Sequence, residues 1–175
     1  GIADLIEKED IVVSMTHFGY IKRIPVAEYR SQRRGGRGVT AHKPKEEDFV
    51  SNIFVCSTHD DLLFFTNKGK VFSIKGYEIP EAARAARGRA IVNLLQLTEG
   101  EKVESAIPRT EGQEGFIVMA TKRGLIKKTA ISEFDRIRKV GKLAINIVEG
   151  DELISVQFSD GKDEIMMASY HGKVI

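Results

Sequence analysis

The segment Thr16-His17-Phe18-Gly19-Tyr20-Ile21-Lys22 returns three more times in this chain of 175 residues. The later copies begin at Thr66, Thr121 and Ser169, and all four share the pattern Thr/Ser, two variable residues, Gly, one variable residue and a β-branched residue. The pattern glycines lie 50, 55 and 48 residues apart and are Gly19, Gly69, Gly124 and Gly172. A sequence period of this length indicates a propeller, a solenoid or another repeat array.

An apolar run precedes each copy of the pattern. The four runs are Ile11–Met15, Leu62–Phe65, Phe116–Met119 and Ile165–Ala168. Two short β-prone runs separated by a few residues that include Gly are typical of a hairpin, in which the glycine adopts the positive φ of the turn. The sequence therefore predicts hairpin turns at the four glycines.

Further apolar stretches bring each period to about four short strands. Stretches that precede a hairpin are Val50–Cys56, Val103–Ile107 and Leu153–Phe158, and stretches that follow one are Val39–Ala41, Ala90–Leu95 and Leu143–Val148. Four-stranded sheets at this period are the pattern of propeller blades. We predict an all-β, propeller-like chain of four-stranded antiparallel blades, with residues 81–90 as a loop and a short helix there as the alternative. The chain holds three full repeats and part of a fourth, so residues 1–175 are expected to be part of one domain.

Composition excludes several classes of protein. With no Trp, the chain cannot carry the Trp-Asp pattern of one common propeller family. No apolar run approaches the ~20 residues that cross a bilayer, and no secretion signal is present. The single cysteine, Cys56, lies in an apolar run and is expected to be a small buried side chain. A chain with one cysteine fits the reducing cytoplasm.

Charge oscillates along the chain although the net charge is only +2. Residues 15–45, 66–90 and 121–142 carry +7, +4 and +6, while the four intervening segments up to residue 165 carry −3, −5, −3 and −5. Gly38, Gly88 and Gly141 mark the basic loops, 17 to 19 residues beyond their hairpin glycines. Equal phase in a repeat predicts equal position on each blade. We therefore expect the basic loops to share one rim, which is the footprint of a polyanion-binding protein.

The positive segments supply the candidate phosphate contacts outside the first basic loop. They are Lys22, Arg23, Lys43, Lys45, Lys68, Lys70, Lys75, Arg84, Arg87, Arg89, Lys122, Arg123, Lys127, Lys128, Arg136, Arg138, Lys139 and Lys142. Solvated surface loops with no partner are the alternative for these residues.

The first basic loop contains the most unusual stretch, Gln32-Arg33-Arg34-Gly35-Gly36-Arg37-Gly38. Arginine forks suit phosphate oxygens, and glycines allow the backbone to approach a ligand closely. A flexible linker and a loose RNA-binding Arg-Gly segment remain alternatives. The glycine spacing does not match a dinucleotide fingerprint or a P-loop.

No catalytic or metal-binding arrangement emerges from the sequence. The histidines His17, His42, His59 and His171 are scattered, and no pair has the helical spacing of metal ligands. Acidic pairs such as Asp60-Asp61 are expected to be solvated turn residues. We predict no active site, cofactor or metal in this chain.

The stretch from Gln32 to Gly38 resembles the seven-residue box in the C-terminal domain of the DNA gyrase A subunit. The preceding Tyr20–Pro25 and Tyr29-Arg30-Ser31 resemble the first blade of that domain, and the resemblance extends through the hairpin repeats. It implies a six-bladed β-pinwheel in which neighbouring blades exchange a strand. We refer to residues Gln32–Gly38 as the box.

The resemblance also implies a function. Double-stranded DNA would wrap around the basic perimeter with positive handedness, so that ATP-driven strand passage introduces negative supercoils. The box would join the first and last blades and be needed for the wrap. The catalytic tyrosine would lie in another domain, and ATP and Mg would be bound in other domains or subunits of an A₂B₂ enzyme in the bacterial cytoplasm. The A-type subunit of topoisomerase IV usually has a degenerate box or none, so the intact box favours gyrase.

Two alternatives lie outside this family. One is a propeller whose basic rim binds an acidic protein, and the other is an RNA-binding module. An RNA module would stack bases on exposed aromatic side chains. Phe64, Phe65, Phe72 and Phe116 are expected in the core, which leaves Tyr20, Tyr29, Tyr77 and Tyr170 free to stack and weighs against RNA.

Overall fold

The computed structural model describes residues 1–35 and 47–162, and for residues 32–35 it describes the backbone alone. The chain forms two compact units. The first comprises Gly1–Leu62, Ile74–Leu97 and Pro108–Glu111, and the second comprises Leu63–Ser73, Thr98–Ile107 and the chain from Gly112 onward. None of the helices in the described ranges has the length and apolar character needed to cross a membrane.

The three described hairpin turns have the same geometry. Gly19, Gly69 and Gly124 have φ values of +92°, +86° and +98°, a region that L side chains rarely adopt. In each turn the glycine amide donates a hydrogen bond to the carbonyl of the threonine three residues earlier, at 2.9 to 3.0 Å. The amide of the next residue donates to the hydroxyl of the same threonine. These turns confirm three predicted hairpins; Gly172 lies outside the described residues.

The first hairpin forms the middle of a four-stranded sheet. Its strands are β1 (Asp10–Thr16) and β2 (Tyr20–Pro25), and the edge strands are β3 (Val50–Ser57) and β6 (Arg89–Ala90). The order is β3-β1-β2-β6, and β1 pairs antiparallel with both β2 and β3. In sequence, both edge strands follow the first hairpin. Strand β3 comes before the second hairpin, and β6 comes after it.

The second sheet repeats this arrangement one period later. Its order is β10-β5-β4-β7, with strands β4 (Asp61–Thr66), β5 (Lys70–Lys75), β7 (Val103–Arg109) and β10 (Lys142–Leu143). The third sheet has the order β11-β8-β9 within the described residues, with β8 (Phe116–Thr121), β9 (Ile126–Ala130) and β11 (Leu153–Ser159). The all-β prediction is confirmed, and the edge strands taken from later chain agree with the strand exchange implied by the resemblance.

Buried apolar side chains hold each unit together. In the second unit one cluster joins strands of two sheets and contains Leu63, Phe65, Val71, Ile117, Met119, Ile131, Phe134, Ala144, Ile145 and Leu153. In the first unit, Ile11, Val13 and Ile21 have no exposed surface. Cys56 is buried as expected, and burial raises the pKa of its thiol to about 12, so it stays protonated at neutral pH.

Two predicted strands need correction. The stretches Ala90–Leu95 and Leu143–Val148 contribute only the two-residue strands β6 and β10, and the first of these stretches continues into a short 3₁₀ helix at Ile91–Asn93. Two helices were missed: α1 (Ile2–Leu5) and α2 (Val26–Gly35). The predicted strand Val39–Ala41 lies outside the described residues. The predicted loop at 81–90 is confirmed except for its last two residues, which form β6.

A carboxylate fastens each hairpin turn to the start of a later edge strand. The Oδ1 atom of Asp48 accepts from the amides of Phe18 and Phe49, and Oδ1 of Asp151 accepts from those of Arg123 and Glu152, all at 2.9 Å. Each of these carboxylates also accepts a side-chain hydrogen bond from the turn threonine, Thr16 or Thr121. Burial would raise the pKa of both aspartates, but these hydrogen bonds outweigh it and hold the pKa below its usual value.

Glu101 is the buried member of this set, with 6% of its surface exposed. Thr66 donates to its Oε2 atom at 2.7 Å, and Thr98 donates to Oε1 through its amide and its hydroxyl. Burial would raise the pKa of Glu101, but these donors and the charge of Lys70 lower it. The three pairs Thr16–Asp48, Thr66–Glu101 and Thr121–Asp151 are called the turn clamps below.

Substitution of Glu101→Gln is expected to destabilise the chain by about 1 kcal/mol at pH 7, because hydrogen bonds to a charged acceptor become bonds to a neutral amide. Since the pKa of Glu101 is depressed in the folded state, its contribution is complete above the unfolded pKa of about 4.3. The contribution is lost as pH falls through the lower folded pKa. Urea unfolding between pH 3 and pH 7 should therefore show a smaller pH dependence for the variant than for the wild type.

The matched control is Glu99→Gln, two residues away, whose side chain is exposed. It should leave both the free energy of unfolding and its pH dependence unchanged. Equal pH dependence in wild type and Glu101→Gln would show that the clamp contributes no charge-dependent stability.

Candidate nucleic-acid interface

The basic loop at residues 83–89 is held on β2 by Lys22. The Lys22 ammonium donates to the carbonyls of Ala83, Arg84 and Ala86 at 3.1, 2.6 and 2.7 Å. Burial lowers the pKa of Lys22, and the nearby charge of Arg84 adds to the effect. Lys22 was predicted as a phosphate contact, but its three donors are directed into the protein. Its geometry is that of a residue that organises the loop.

Two arginines of this loop lie over tyrosine rings. The Arg84 guanidinium is 4.3 Å from the ring centre of Tyr29 in α2, and the Arg87 guanidinium is 4.7 Å from the ring centre of Tyr20 in β2. Each Nη1 atom also donates at 3.4 Å, from Arg84 to the Tyr29 carbonyl and from Arg87 to the Tyr20 hydroxyl. Stacking fixes the plane of a guanidinium, and its remaining edge donors suit an anion such as phosphate. Tyr20 and Tyr29, which were expected to be free for stacking with bases, are therefore occupied by arginine.

The short edge strands carry a cation at the same repeat position in the first two sheets. Arg89 pairs with Ile21 and Lys142 pairs with Val71, and each partner lies two residues beyond its turn glycine. The glycine before each cation, Gly88 or Gly141, has a positive φ. Gly88 and Gly141 therefore occupy equivalent positions on the first two sheets, as their similar phase in the repeat predicts.

Glycine is required at both of these positions by close packing. A Cβ atom on Gly88 would lie 2.5 Å from the carbonyl oxygen of Ile21, and one on Gly141 would lie 2.8 Å from the Phe72 ring. The chain therefore passes directly over β2 and β5 at these points and leads into a basic residue. This backbone approach explains the Gly-cation sequence in both loops.

Several other predicted cations have partners within the protein. Arg23 donates to the Ile79 carbonyl, Lys68 to the Glu99 carbonyl and Lys75 to the Asp61 carboxylate, at 2.6, 2.7 and 3.1 Å. In the second unit, Lys127 donates to the Ala144 carbonyl and Lys142 to the Glu133 carbonyl. Lys70 and Lys128 lie over the rings of Phe72 and Phe116. The charge of Arg123 contributes to lowering the pKa of the Asp151 carboxyl.

A smaller group of exposed cations has no internal partner. Within residues 1–35 and 47–162, the side chains of Arg89, Lys122, Arg136, Arg138 and Lys139 form no hydrogen bond, ion pair or ring contact. Arg136 also has a φ of +56°, which is uncommon for a residue with a Cβ atom. Arg89 belongs to the first unit and the other four to the second. Each unit therefore presents uncompensated positive charge, while a common rim stays a prediction.

The box is only partly described. Its first four residues, Gln32, Arg33, Arg34 and Gly35, form the end of α2. Gly36, Arg37 and Gly38 lie outside the described residues, as do the predicted contacts Lys43 and Lys45. The sequence predicted a linker or loop for this stretch, so the helical backbone of Gln32–Gly35 is a correction.

Two features of the structure were not predicted from the sequence. The clamp carboxylates follow their threonines by 30 to 35 residues, so the three periods aligned beside one another would have revealed them. Phe18 and Phe49 are also exposed aromatic residues, at 49% and 57%, and His17 stacks on Phe49 with a centroid distance of 4.8 Å. Among the described residues, no three His, Cys, Asp or Glu side chains are placed to bind a metal ion.

Comparison with known proteins gives consistent results. The family model described as the DNA gyrase C-terminal domain, β-propeller, matches residues 10–57, 60–108 and 115–160. The DNA gyrase A subunit of Escherichia coli strain K12 is 50% identical over 176 aligned residues, covering 100% of this chain and 20% of that protein. The corresponding protein of Clostridium acetobutylicum is 51% identical, covering 99% and 21%.

A solved structure of the C-terminal domain of DNA topoisomerase IV superimposes with a TM-score of 0.75 at 26% identity. The match covers 89% of this chain and 47% of that one. Compared with the two gyrase A subunits, the present chain spans about a fifth of their length.

Substitution of Lys22→Met is expected to destabilise the chain by about 1–3 kcal/mol, because three carbonyls lose their common donor. Hydrogen exchange of the amides in residues 83–89 should quicken. Arg89→Met is the control, since it removes a cation from the same loop that has no internal partner. If Lys22→Met leaves the exchange of residues 83–89 unchanged, the Lys22 ammonium does not organise this loop.

Proposed function

Since the chain belongs to the DNA gyrase C-terminal β-propeller family, we propose that it is a non-catalytic part of a gyrase A subunit that wraps double-stranded DNA. The observation that carries this proposal is the recurrence of a basic loop at one repeat position. Arg89 and Lys142 emerge at equivalent points of two sheets, and cations without internal partners accompany them. Cations that recur at one repeat position suit a polyanion whose phosphates also recur regularly, such as a duplex.

The chemistry of these cations favours contacts to the DNA backbone. Arginine and lysine side chains neutralise phosphates without reading sequence, whereas base recognition requires an element inserted into a groove. The described cations without internal partners lie on a loop, a hairpin turn and the short edge strand β6, and α2 contributes the start of the box. Binding should therefore be nearly independent of DNA sequence and strongly dependent on salt.

The proposed role within the whole enzyme extends beyond this chain. The wrap would present one duplex segment to the gate of the same enzyme, so that ATP-driven strand passage introduces negative supercoils. Catalysis, ATP and Mg would belong to other domains and to the B subunit of an A₂B₂ enzyme in the bacterial cytoplasm. The intact box supports a gyrase origin over the A-type subunit of topoisomerase IV.

The RNA-binding alternative gains one observation from the structure. His17, Phe18 and Phe49 form an exposed aromatic group at the first hairpin turn. Bases of single strands stack on such groups. A competition experiment separates the two functions, because a single-stranded RNA competitor should displace the duplex only weakly if phosphate tracking on double-stranded DNA is the function. An acidic-protein partner instead predicts weak binding to either nucleic acid.

Wrapping is tested by a topological assay on the intact subunit. Nicked circular DNA is ligated with protein bound, deproteinised and analysed for linking number. A positive shift that grows with the amount of bound protein is expected. Tight binding without any shift would contradict wrapping.

Paired substitution Arg87→Ala with Arg89→Ala should weaken duplex binding and reduce its salt dependence. If both residues contact phosphates, the magnitude of the slope of log K against log salt falls by about two units. The control pair is Lys8→Ala with Lys102→Ala, two exposed cations from acidic segments, which should leave the slope unchanged. Unchanged affinity and slope for the Arg87/Arg89 pair would remove this loop from the DNA path.

Triple substitution of Arg33, Arg34 and Arg37 by Ala in the intact subunit should abolish negative supercoiling by the reconstituted enzyme. DNA cleavage and ATP-independent relaxation should persist, because they do not need the wrap. Even a 40–90° bend over 20–30 base pairs costs roughly 1–6 kcal/mol, so lost contacts act first on the most bent state. The control is a triple variant that removes three exposed cations outside the box, with Ala at Lys8, Lys102 and Lys162. Normal supercoiling by the box variant would make the box a passive linker.

A further inference from the structure

The contact between Arg84 and Tyr29 joins two parts of the proposed DNA-binding surface. Arg84 belongs to the basic loop, and Tyr29 belongs to α2, which contains the first four residues of the box. Besides the ring stacking, the Nη1 atom of Arg84 donates to the Tyr29 carbonyl at 3.4 Å. One side chain thus contacts both the ring and the backbone of the helix.

The loop end of this contact is anchored. Lys22 holds the carbonyls on both sides of the Arg84 side chain, and the Arg87 guanidinium rests on Tyr20. Gly88 then lies against β2 so closely that a Cβ atom would clash. The position from which Arg84 reaches toward α2 is therefore set by the sheet.

The helix end of the contact occupies a distinctive repeat position. Tyr29 lies ten residues beyond its turn glycine, where the later repeats have Ile79 and Phe134. Those two residues are buried, at 0% and 3% exposure, whereas Tyr29 is only partly buried. The first repeat thus replaces a buried apolar anchor by a tyrosine that contacts a cation, and it does so in the repeat that carries the box.

Tyr29 is also three residues before Gln32, less than one helical turn from the start of the box. Because a helix is stiff over this distance, fixing Tyr29 fixes the direction in which the chain enters the box. We propose that the Arg84–Tyr29 contact sets the orientation of α2 relative to the basic loop, and with it the course of the backbone at Gln32–Gly35, and that Tyr29 is a positioning residue for DNA wrapping. This inference rests on the proposed function.

Tyr29→Leu is the informative variant because it removes the ring without changing any charge. Binding to a duplex too short to wrap should stay within about twofold of wild type, with the same salt slope. An exposed cation–π contact corresponds to a factor of about two to five in an equilibrium constant. The linking-number assay is therefore run at the salt concentration that halves the wild-type shift. Under that condition, a two- to fivefold weaker equilibrium should give Tyr29→Leu roughly two-thirds to one-third of the shift that the wild type shows.

Three further variants make the test specific. Tyr29→Phe keeps the ring and should restore the wild-type shift. In an Arg84→Gln background, Tyr29→Leu should cause no additional loss, since the contact is already absent. Arg30→Gln removes an exposed cation from α2 beside Tyr29 and should not reproduce the Tyr29→Leu pattern.

Hydrogen exchange on the DNA-free protein reports the contact without reference to function. The α2 amides should exchange faster in Tyr29→Leu and in Arg84→Gln than in wild type, and Tyr29→Phe should match wild type. Arg84 is exposed, so Arg84→Gln provides this measurement even if Tyr29→Leu fails to fold.

The outcomes separate this inference from the proposed function. A wild-type protein that gives no linking-number shift overturns the proposed function and the inference with it. A normal wild-type shift accompanied by an equal shift from folded Tyr29→Leu overturns the inference alone. Unchanged α2 exchange in Arg84→Gln likewise overturns it, because the contact then fixes nothing.

Discussion

The turn clamp is the interaction on which the rest of this structure depends. A threonine hydroxyl accepts a hydrogen bond from the backbone amide that follows the turn glycine. The same hydroxyl donates a hydrogen bond to a carboxylate at the start of a later strand. This arrangement joins a local hairpin to chain 30 to 35 residues away, and it is repeated at Thr16, Thr66 and Thr121. Because each clamp needs an acidic residue between two basic segments, the clamps account for part of the charge oscillation along the sequence.

The positively charged side chains divide into two groups according to their partners. Lysines such as Lys22, Lys127 and Lys142 donate to backbone carbonyls and so stabilise loops. Cations without internal partners, such as Arg89 and Arg138, are left for an external anion. The basic segments thus serve folding and the proposed DNA binding with different residues, a division that total charge cannot reveal.

Sequence predicted the hairpins and most long strands because their signals are local. A turn glycine and its flanking apolar runs lie within about 15 residues, as at Gly19. The helix α2 was missed because its arginine-rich sequence offers no apolar stripe, although Ala27 and Glu28 favour a helix start. The roles of Lys22 and Tyr29 could not be predicted, since their partners lie 55 to 64 residues away and are fixed by the sheet.

The origin of the edge strands has a consequence for synthesis on the ribosome. The first hairpin is complete at Pro25, but its sheet closes only when Ala90 arrives, about 65 residues later. At 5–20 residues per second this interval is roughly 3 to 13 s. During that time one side of β2 presents unpaired backbone groups to the nascent chain and its surroundings. The second hairpin emerges before the first sheet is closed, so assembly of each sheet overlaps with translation of the next.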